Sequence, residues 1–290
     1  MLQDSYQDYL ATVLLAHLPE RGLAWLRSQQ EAPVAEKALY LAFSLAPRFT
    51  GKEPLQLTVS QLRQARQLRP GFDPGTWTID QAARTWLLLR APRPDAAAYT
   101  ALLDRLFSTA DVSELVALYA SLPLLPFPET HAKRAAEGVR TTMTNVFDAI
   151  ALNNPYPHDY LPLAAWNQLI LKAVFNARPL YRIYGLDDRR NEPLAHMLLD
   201  YAHERWAAGR TLTPEVWRLV GPHLTTSTLP DVRRLLRSPD ALQVQAATLA
   251  LAASGLPEAG ELLSEFPDVP PGGGNSECSW QRIGEKVYEA

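Results

Sequence analysis

The chain has 290 residues, of which 47% are hydrophobic and 20% are charged, and its 28 Lys and Arg residues oppose 31 Asp and Glu residues. These proportions are typical of a globular protein with a buried core, and they exclude a disordered chain. The formal net charge of −3 provides no basic field for a phosphate backbone, so we expect no nucleic-acid partner.

Three features of the sequence bear on where the protein works. Residues 1–9 carry two Asp and neither Lys nor Arg before the first apolar run, which is the wrong charge for a cleaved secretion signal. The apolar stretch at residues 115–127 is interrupted by Pro123 and Pro126 and is shorter than the roughly 18 residues that span a bilayer. The single cysteine, Cys278, fits a reducing compartment. We therefore expect a cytoplasmic protein that is not itself membrane-spanning.

Apolar residues recur at helical spacing along almost the whole chain, and sustained alternation of apolar and polar residues is absent, so the pattern predicts an all-α fold. Capping boxes are predicted where Thr78 precedes Gln81 and where Asp111 precedes Glu114. Helices are predicted at residues 5–17, 20–29, 33–47, 58–69, 79–90, 94–107, 111–121, 129–153, 163–177, 192–208, 213–219, 229–237, 240–253 and 257–265.

The C-terminal helices indicate the architecture. Residues 229–266 read as three short helices joined by turns, and their Ala residues at three- and four-residue spacing allow close packing, as in HEAT or armadillo helix pairs. No fixed period repeats along the whole chain. The sequence therefore predicts an irregular multi-helical array with HEAT/armadillo-like helix pairs.

The domain organisation follows from the same pattern. We expect a single all-helical domain over residues 1–266, followed at 267–290 by a Pro/Gly-rich linker and a C-terminal tail. Trp280 and Tyr288 are the residues through which such a tail would dock back onto the domain.

The predicted helix at 129–153 has an apolar face and an opposite polar stripe. Arg140 lies at the border of that stripe, where it could reach either Glu137 or a bound anion. The simpler interpretation is a solvated helix face. The helix is expected to stop at Asn153, and the rigid turn that follows presents Tyr156 on a stiff loop, where ligands commonly bind.

The predicted helix at 163–177 is apolar nearly all round, which is typical of a helix buried on most sides. Gln168, Lys172 and Asn176 form one narrow polar stripe beside Asn167. If the stripe faces a groove, Lys172 is an anion partner or a desolvated amine that acts as a base or a Schiff-base nucleophile. The simpler interpretation is a thin strip of solvent exposure.

A metal site is a further alternative. His196, Asp200, His203 and Glu204 share one face of a predicted helix, within reach of a divalent ion. The order His-Glu-x-x-His is absent, and charge pairs at this spacing commonly form without a metal.

Searches for reaction centres are negative. The sequence has no phosphate-cradling Gly-rich loop, no Cys-x-x-Cys, no Gly-x-Ser-x-Gly and no dinucleotide fingerprint. Cys278 has no neighbouring His and is interpreted as an incidental thiol. We therefore expect no catalytic residue and no cofactor.

Five segments carry a resemblance to a known family. The chain resembles the EboA family most strongly over residues 70–225. The segments are residues 108–119 (STADVSELVALY), 134–150 (RAAEGVRTTMTNVFDAI), 153–157 (NNPYP), 165–175 (AWNQ to LKAVF) and 200–206 (DYAHERW).

The resemblance implies a cytosolic component of a small multi-protein system that delivers a metabolite towards the periplasm, in some versions an aromatic precursor of the pigment scytonemin. Its implied partners are the other proteins of the ebo system, including a UbiA-like membrane prenyltransferase and a TIM-barrel hydrolase-like protein. Through these partners the chain would lie peripheral to the inner membrane. The family supplies no catalytic residues to carry over.

We therefore predict a non-enzymatic adaptor or carrier that binds a small aromatic or prenylated metabolite, partner proteins, or both. The alternative is an enzyme that modifies the metabolite through Lys172 or through a metal on the face of His196 and His203. The candidate ligand-binding residues are Arg140, Asn153, Tyr156, Trp166, Asn167 and Lys172.

Overall fold

The computed structural model describes residues 2–31, 35–269 and 279–289, and these residues are all-α. They form seventeen α-helices and six short 3-10 helices, and their one β-type contact is an isolated bridge between Pro54 and Thr78. The predicted fold class is therefore confirmed. In this part of the chain no helix is both long enough and apolar enough to cross a bilayer.

The helices follow most of the predicted limits. The first ten α-helices are α1 (Leu2–His17), α2 (Glu20–Glu31), α3 (Glu36–Thr50), α4 (Val59–Leu68), α5 (Ile79–Arg90), α6 (Ala96–Thr109), α7 (Val112–Ser121), α8 (Ala132–Val139), α9 (Thr144–Ala151) and α10 (Tyr156–Tyr160). The others are α11 (Leu163–Phe175), α12 (Glu192–Ala207), α13 (Trp217–Val220), α14 (Leu229–Leu236), α15 (Ala241–Ser254), α16 (Glu258–Ser264) and α17 (Trp280–Glu289). The 3-10 helices are Leu122–Leu124, Pro128–His131, Leu180–Arg182, Pro214–Val216, Gly221–His223 and Thr226–Thr228.

The described residues form two compact units whose boundary lies between Ala165 and Trp166. The first unit contains α1 to α10, and the second contains most of α11 and all of α12 to α17. Contacts alone do not measure cooperative unfolding, so the single domain expected over residues 1–266 stays a prediction.

Helix α5 is the centre of the first unit. It packs against α1, α3 and α7, and every residue from 79 to 89 is buried. Two of these buried residues are charged: Arg84 Nη1 lies 2.6 Å from Asp80 Oδ2, and Arg84 Nε donates to the carbonyl oxygen of Phe43 at 3.1 Å. The ion pair holds the Arg84 side chain, and the hydrogen bond from Arg84 to Phe43 links α5 to α3 inside the core.

Replacing Asp80 by Asn should destabilise the protein by about 3 kcal/mol, because the charge of Arg84 would remain buried without its counter-ion. The matched control is Asp104→Asn, which breaks an exposed pair with Arg134 and should cost less than about 1 kcal/mol. Urea unfolding followed by tryptophan fluorescence measures both changes. Equal costs for the two variants would contradict the central role of the buried pair.

The single helix predicted at residues 129–153 is wrong. The structure has two helices there, α8 and α9, separated by residues 140–143. Thr141 Oγ1 accepts a hydrogen bond from the backbone N–H of Met143 at 3.2 Å, which competes with helical bonding at the break. Met143, the last residue of the break, is 40% exposed.

The two capping-box predictions have opposite outcomes. Asp111 accepts the backbone N–H of Glu114 while the Glu114 carboxylate accepts the N–H of Asp111, which confirms that box. The box at Thr78 is wrong, because the Thr78 hydroxyl donates to Asp80 Oδ1 at 2.6 Å and makes no cap hydrogen bond. The Asp80 carboxylate, which pairs with Arg84, therefore also accepts the hydrogen bond of the Thr78 hydroxyl at the start of α5.

Helix α15 is the centre of the second unit. It packs against α13, α14, α16 and α17, and its small side chains permit close approach. A Cβ at Gly221 would lie 2.8 Å from the Cα of Ala250, so this contact requires glycine. The helix predicted at 213–219 is a 3-10 turn, Pro214–Val216, followed by α13. The expected HEAT/armadillo-like pairing is not confirmed.

The C-terminal tail includes a helix that packs on the second unit. Helix α17 contacts α15 and the 3-10 helices Leu180–Arg182 and Pro214–Val216. Ile283 is fully buried, and the Tyr288 ring lies 6.3 Å from that of Tyr181. Most of the linker expected from residue 267, together with Cys278, lies outside the described residues.

Candidate functional site

The second unit contains a cavity of about 540 Å³, called here the apolar pocket. It lies among the end of α11, α12, the loop that follows α12, the start of α15, and α17. Its apolar lining residues include Val174, Phe175, Tyr201, Leu212, Val287 and Tyr288.

Phe175 is the most unusual residue of this lining. It is 73% exposed although it ends an otherwise apolar helix, and its ring lies 6.4 Å from that of Tyr201. A large apolar side chain exposed in a concave surface is typical of a ligand or partner contact, because burial there lowers the free energy of the complex.

One wall of the pocket includes the loop at residues 209–213, called here the wall loop. Arg205 donates two hydrogen bonds to the carbonyl oxygen of Thr211, from Nε at 3.0 Å and from Nη2 at 2.9 Å. Gln243 Nε2 donates to the carbonyl oxygen of Leu212 at 2.7 Å. Gly209 has φ +66°, a left-handed conformation that lets the chain turn out of α12. Side chains from two helices therefore hold this wall in place.

Gln243 also lines the pocket, and the orientation of its side-chain amide is determined by its hydrogen bond. Because its amide nitrogen donates to Leu212, the orientation of the amide is fixed and Oε1 is left as an acceptor. Within the described residues, Oε1 is buried and has no hydrogen-bond partner.

Helix α17 packs over the buried side chain of Glu215. The Glu215 carboxylate accepts the backbone N–H groups of Leu180 at 3.1 Å and Tyr181 at 2.5 Å. Burial raises the pKa of Glu215 to about 7, against the lowering effect of these two hydrogen bonds. A Cβ at Gly284 would lie 2.7 Å from Glu215 Oε1, so α17 approaches this carboxylate closely. The pKa of the Tyr288 hydroxyl is raised by burial and by the charge of Glu215.

The free energy of unfolding of the protein should depend on pH through Glu215. In the fold Glu215 has a pKa of about 7, and its ordinary value is 4.5, so the folded state binds an extra proton between these limits. We expect the free energy of unfolding to fall as pH rises through this interval, by on the order of 3 kcal/mol.

Glu215→Gln removes this titration and is the variant for the test. The stability of the wild type relative to the variant should be greatest near pH 5 and should decline towards pH 7.5. Urea unfolding of both proteins across this range measures the difference. A difference that does not change with pH would contradict the raised pKa.

Three sequence-predicted ligand residues lie in the first unit, and two of them have structural roles. Tyr156 is buried, its hydroxyl donates to the carbonyl oxygen of Pro128 at 2.5 Å, and burial raises its pKa. Asn153 adopts a left-handed φ of +54°, and its carbonyl oxygen accepts the N–H of Asp73 at 3.3 Å. Arg140 is exposed at the end of α8.

The other three lie in the second unit, on α11. Trp166 is fully buried, with the guanidinium of Arg189 4.8 Å from its ring centroid. Asn167 is buried and exchanges amide hydrogen bonds with Asn191 at 3.1 and 3.0 Å. Lys172 is half-buried, and desolvation lowers its pKa. None of the three lines the apolar pocket.

The metal-site candidates on α12 engage other partners or remain exposed. His203 Nε2 lies 2.9 Å from Asp231, and His196 Nε2 lies 3.9 Å from Glu192. Asp200 and Glu204 are exposed. In the described part of the chain, no group of three or more His, Cys, Asp or Glu side chains has an arrangement that could hold a metal ion.

Sequence reasoning missed the residues that form the pocket. Phe175 belongs to the helix predicted at 163–177, which is apolar nearly all round, and Tyr201 was not among the candidate residues. Gln243 belongs to a helix noted only for its Ala residues. The tail was expected to dock, and Tyr288 was named for that contact. The available signal was the set of aromatic residues at 175, 201 and 288, whose meeting depends on the tertiary structure.

Comparison with known proteins gives the family. A family model described as metabolite traffic protein EboA matches residues 6–221, which confirms the resemblance seen in the sequence. No curated protein and no solved structure matches the chain. The wall loop lies inside the matched range, whereas α15 and α17 lie beyond it.

Proposed function

The chain belongs to the EboA family of metabolite traffic proteins, and on this premise we propose that it is a non-enzymatic carrier of a small aromatic or prenylated metabolite. The observation that supports this role most directly is the exposure of Phe175 in the apolar pocket, beside Tyr201. The metabolite would cover this exposed ring surface.

The pocket has the properties of a small-molecule site. Its volume of about 540 Å³ falls in the range of about 300 to 1,000 Å³ that is usual for such sites. Its lining is mostly apolar and also includes the polar or charged residues Arg205, Asp240, Gln243 and Lys286. The wall loop is held by Arg205 and Gln243, so little ordering would be needed on binding.

The same proposal includes protein partners. We place the chain in the cytoplasm, peripheral to the inner membrane through the other proteins of the ebo system. The carrier would pass its metabolite between a TIM-barrel hydrolase-like protein and a UbiA-like membrane prenyltransferase, for delivery towards the periplasm. The family description as a traffic protein supports this role.

Binding of a neutral aromatic probe tests the pocket. N-phenyl-1-naphthylamine should bind the wild-type protein with a rise in fluorescence. Phe175→Ser and Tyr201→Ser should each weaken binding about tenfold, because each removes ring surface worth about 1 to 2 kcal/mol. The matched control is Leu41→Ser, which removes an exposed apolar side chain of α3.

The control variant should bind the probe within about twofold of the wild type. Undiminished binding by the two pocket variants would contradict the assignment of the pocket. Equal weakening by Leu41→Ser would contradict it as well.

One observation favours the enzymatic alternative. Desolvation lowers the pKa of Lys172, which increases the fraction of neutral, nucleophilic amine. Modification by fluorodinitrobenzene at pH 8, mapped by peptide mass spectrometry, should therefore be several-fold faster at Lys172 than at the exposed Lys133. Slower or equal modification of Lys172 would remove this alternative's support.

A further inference from the structure

A second cavity, of about 800 Å³, adjoins the apolar pocket. We call it the arginine groove. Thr211, Leu212, Asp240 and Gln243 line both cavities, so the two adjoin along the wall loop and the start of α15. The arginines that line the groove are Arg210, Arg233, Arg234 and Arg237.

Two of these arginines are held in place by their neighbours. Arg233 makes a paired ion bridge to Glu265, with distances of 3.1 Å from Nε and 2.6 Å from Nη2. Arg234 lies over the ring of Trp206, with its guanidinium carbon 4.5 Å from the ring centroid. Trp206 in turn stacks on the fully buried Trp217 at 6.0 Å. Stacking fixes the plane of a guanidinium and leaves its N–H edges available to an anion.

The charge of the groove exceeds what its own acids neutralise. Asp240 is the one acid among its lining residues, and its carboxylate accepts the N–H of Leu242 as the cap of α15. Glu265 neutralises Arg233. Within the described residues, the guanidinium groups of Arg210, Arg234 and Arg237 donate no hydrogen bond, although the charge of Arg237 also acts on Glu265. The groove therefore carries an excess of positive charge in a chain whose net charge is −3.

Helix electrostatics alone does not account for this arrangement. Arg234 and Arg237 lie at the C-terminal end of α14, where cations favourably meet the helix dipole. Arg210 belongs to the wall loop, on a different segment, yet it lines the same groove. Convergence of arginines from two segments on one concave surface is typical of an anion site, because guanidinium groups bind oxyanions through paired N–H donors.

We propose that the arginine groove binds the phosphate or diphosphate group of a small metabolite. Arg210 and Arg234, together with the partly neutralised Arg237, match an anion with two or more negative charges better than they match a single carboxylate. The proposal rests on the carrier function, since the apolar part of the same molecule would occupy the adjoining apolar pocket. It names the chemical class of the metabolite as an apolar or aromatic body that carries a phosphoryl group.

Inorganic pyrophosphate is the probe for this site. Isothermal titration at low salt should show binding to the full-length protein, and the double variant Arg234→Gln/Arg237→Gln should weaken it by at least about tenfold. The matched control is Arg27→Gln/Arg63→Gln, which removes two positive charges from exposed positions on α2 and α4. The control should bind pyrophosphate within about threefold of the wild type.

Three results would overturn the proposal: no binding of pyrophosphate to the wild type, equal weakening in the control, or binding only to vesicles that contain phosphatidylglycerol. The last result would assign the groove to a lipid surface. Failure here is distinguishable from failure of the carrier function. If N-phenyl-1-naphthylamine still binds, the pocket stands without the groove, and if only pyrophosphate binds, the groove stands without the pocket.

Discussion

The candidate site depends on one constraint, the attachment of the wall loop by two side chains from different helices. Arg205 of α12 holds the carbonyl oxygen of Thr211, and Gln243 of α15 holds that of Leu212. A five-residue loop without such contacts would lose its conformation at little cost in free energy, and the apolar pocket would lose a wall. Because these hydrogen bonds are accepted by backbone oxygens, they hold the loop without using its side chains. The side chains of the loop can therefore line the two cavities.

A second consequence concerns α17, which is a wall of the pocket and comes from the far end of the chain. Helix α17 packs on the buried side chain of Glu215, which Gly284 approaches closely. The Glu215 carboxylate also accepts hydrogen bonds from two backbone N–H groups. The two hydrogen bonds favour the carboxylate, while burial favours the acid, and burial is the larger effect. Because Glu215 gains or loses a proton near neutral pH, the stability of α17 as a wall of the pocket depends on pH. The nearby Tyr288 lines the pocket and feels the same charge.

Much of the fold could be predicted from the sequence, because amphipathic periodicity and proline positions determine where a helix starts and stops. The capping box at Asp111 followed from local chemistry, since both of its hydrogen bonds lie within four residues. The break between α8 and α9 did not, because a run of apolar residues at helical spacing cannot reveal that Thr141 will bond to the backbone instead. The box at Thr78 fails because a nearer acceptor competes: the Asp80 carboxylate, which pairs with the buried Arg84, also accepts the Thr78 hydroxyl.

The site was harder to predict for a related reason. Conspicuous polar and aromatic residues drew attention to Tyr156, Trp166 and Asn167, and the structure shows these side chains packed or hydrogen-bonded within their own units. The residues that form the pocket are ordinary in sequence, and more than 110 positions separate Phe175 from Tyr288. Only the folded chain brings them together. The arginines of the groove are similar, because Arg210 and Arg237 line one cavity although 27 positions separate them in the sequence.

Native mass spectrometry of the full-length protein, purified gently from its own host, tests the central claim most directly. The account predicts one small organic adduct per chain, with a mass that includes at least one phosphoryl group, and loss of that adduct from the Phe175→Ser variant purified in the same way. An adduct that persists in the variant would contradict the assignment to the pocket, and a wild-type protein without any organic adduct would contradict the carrier function.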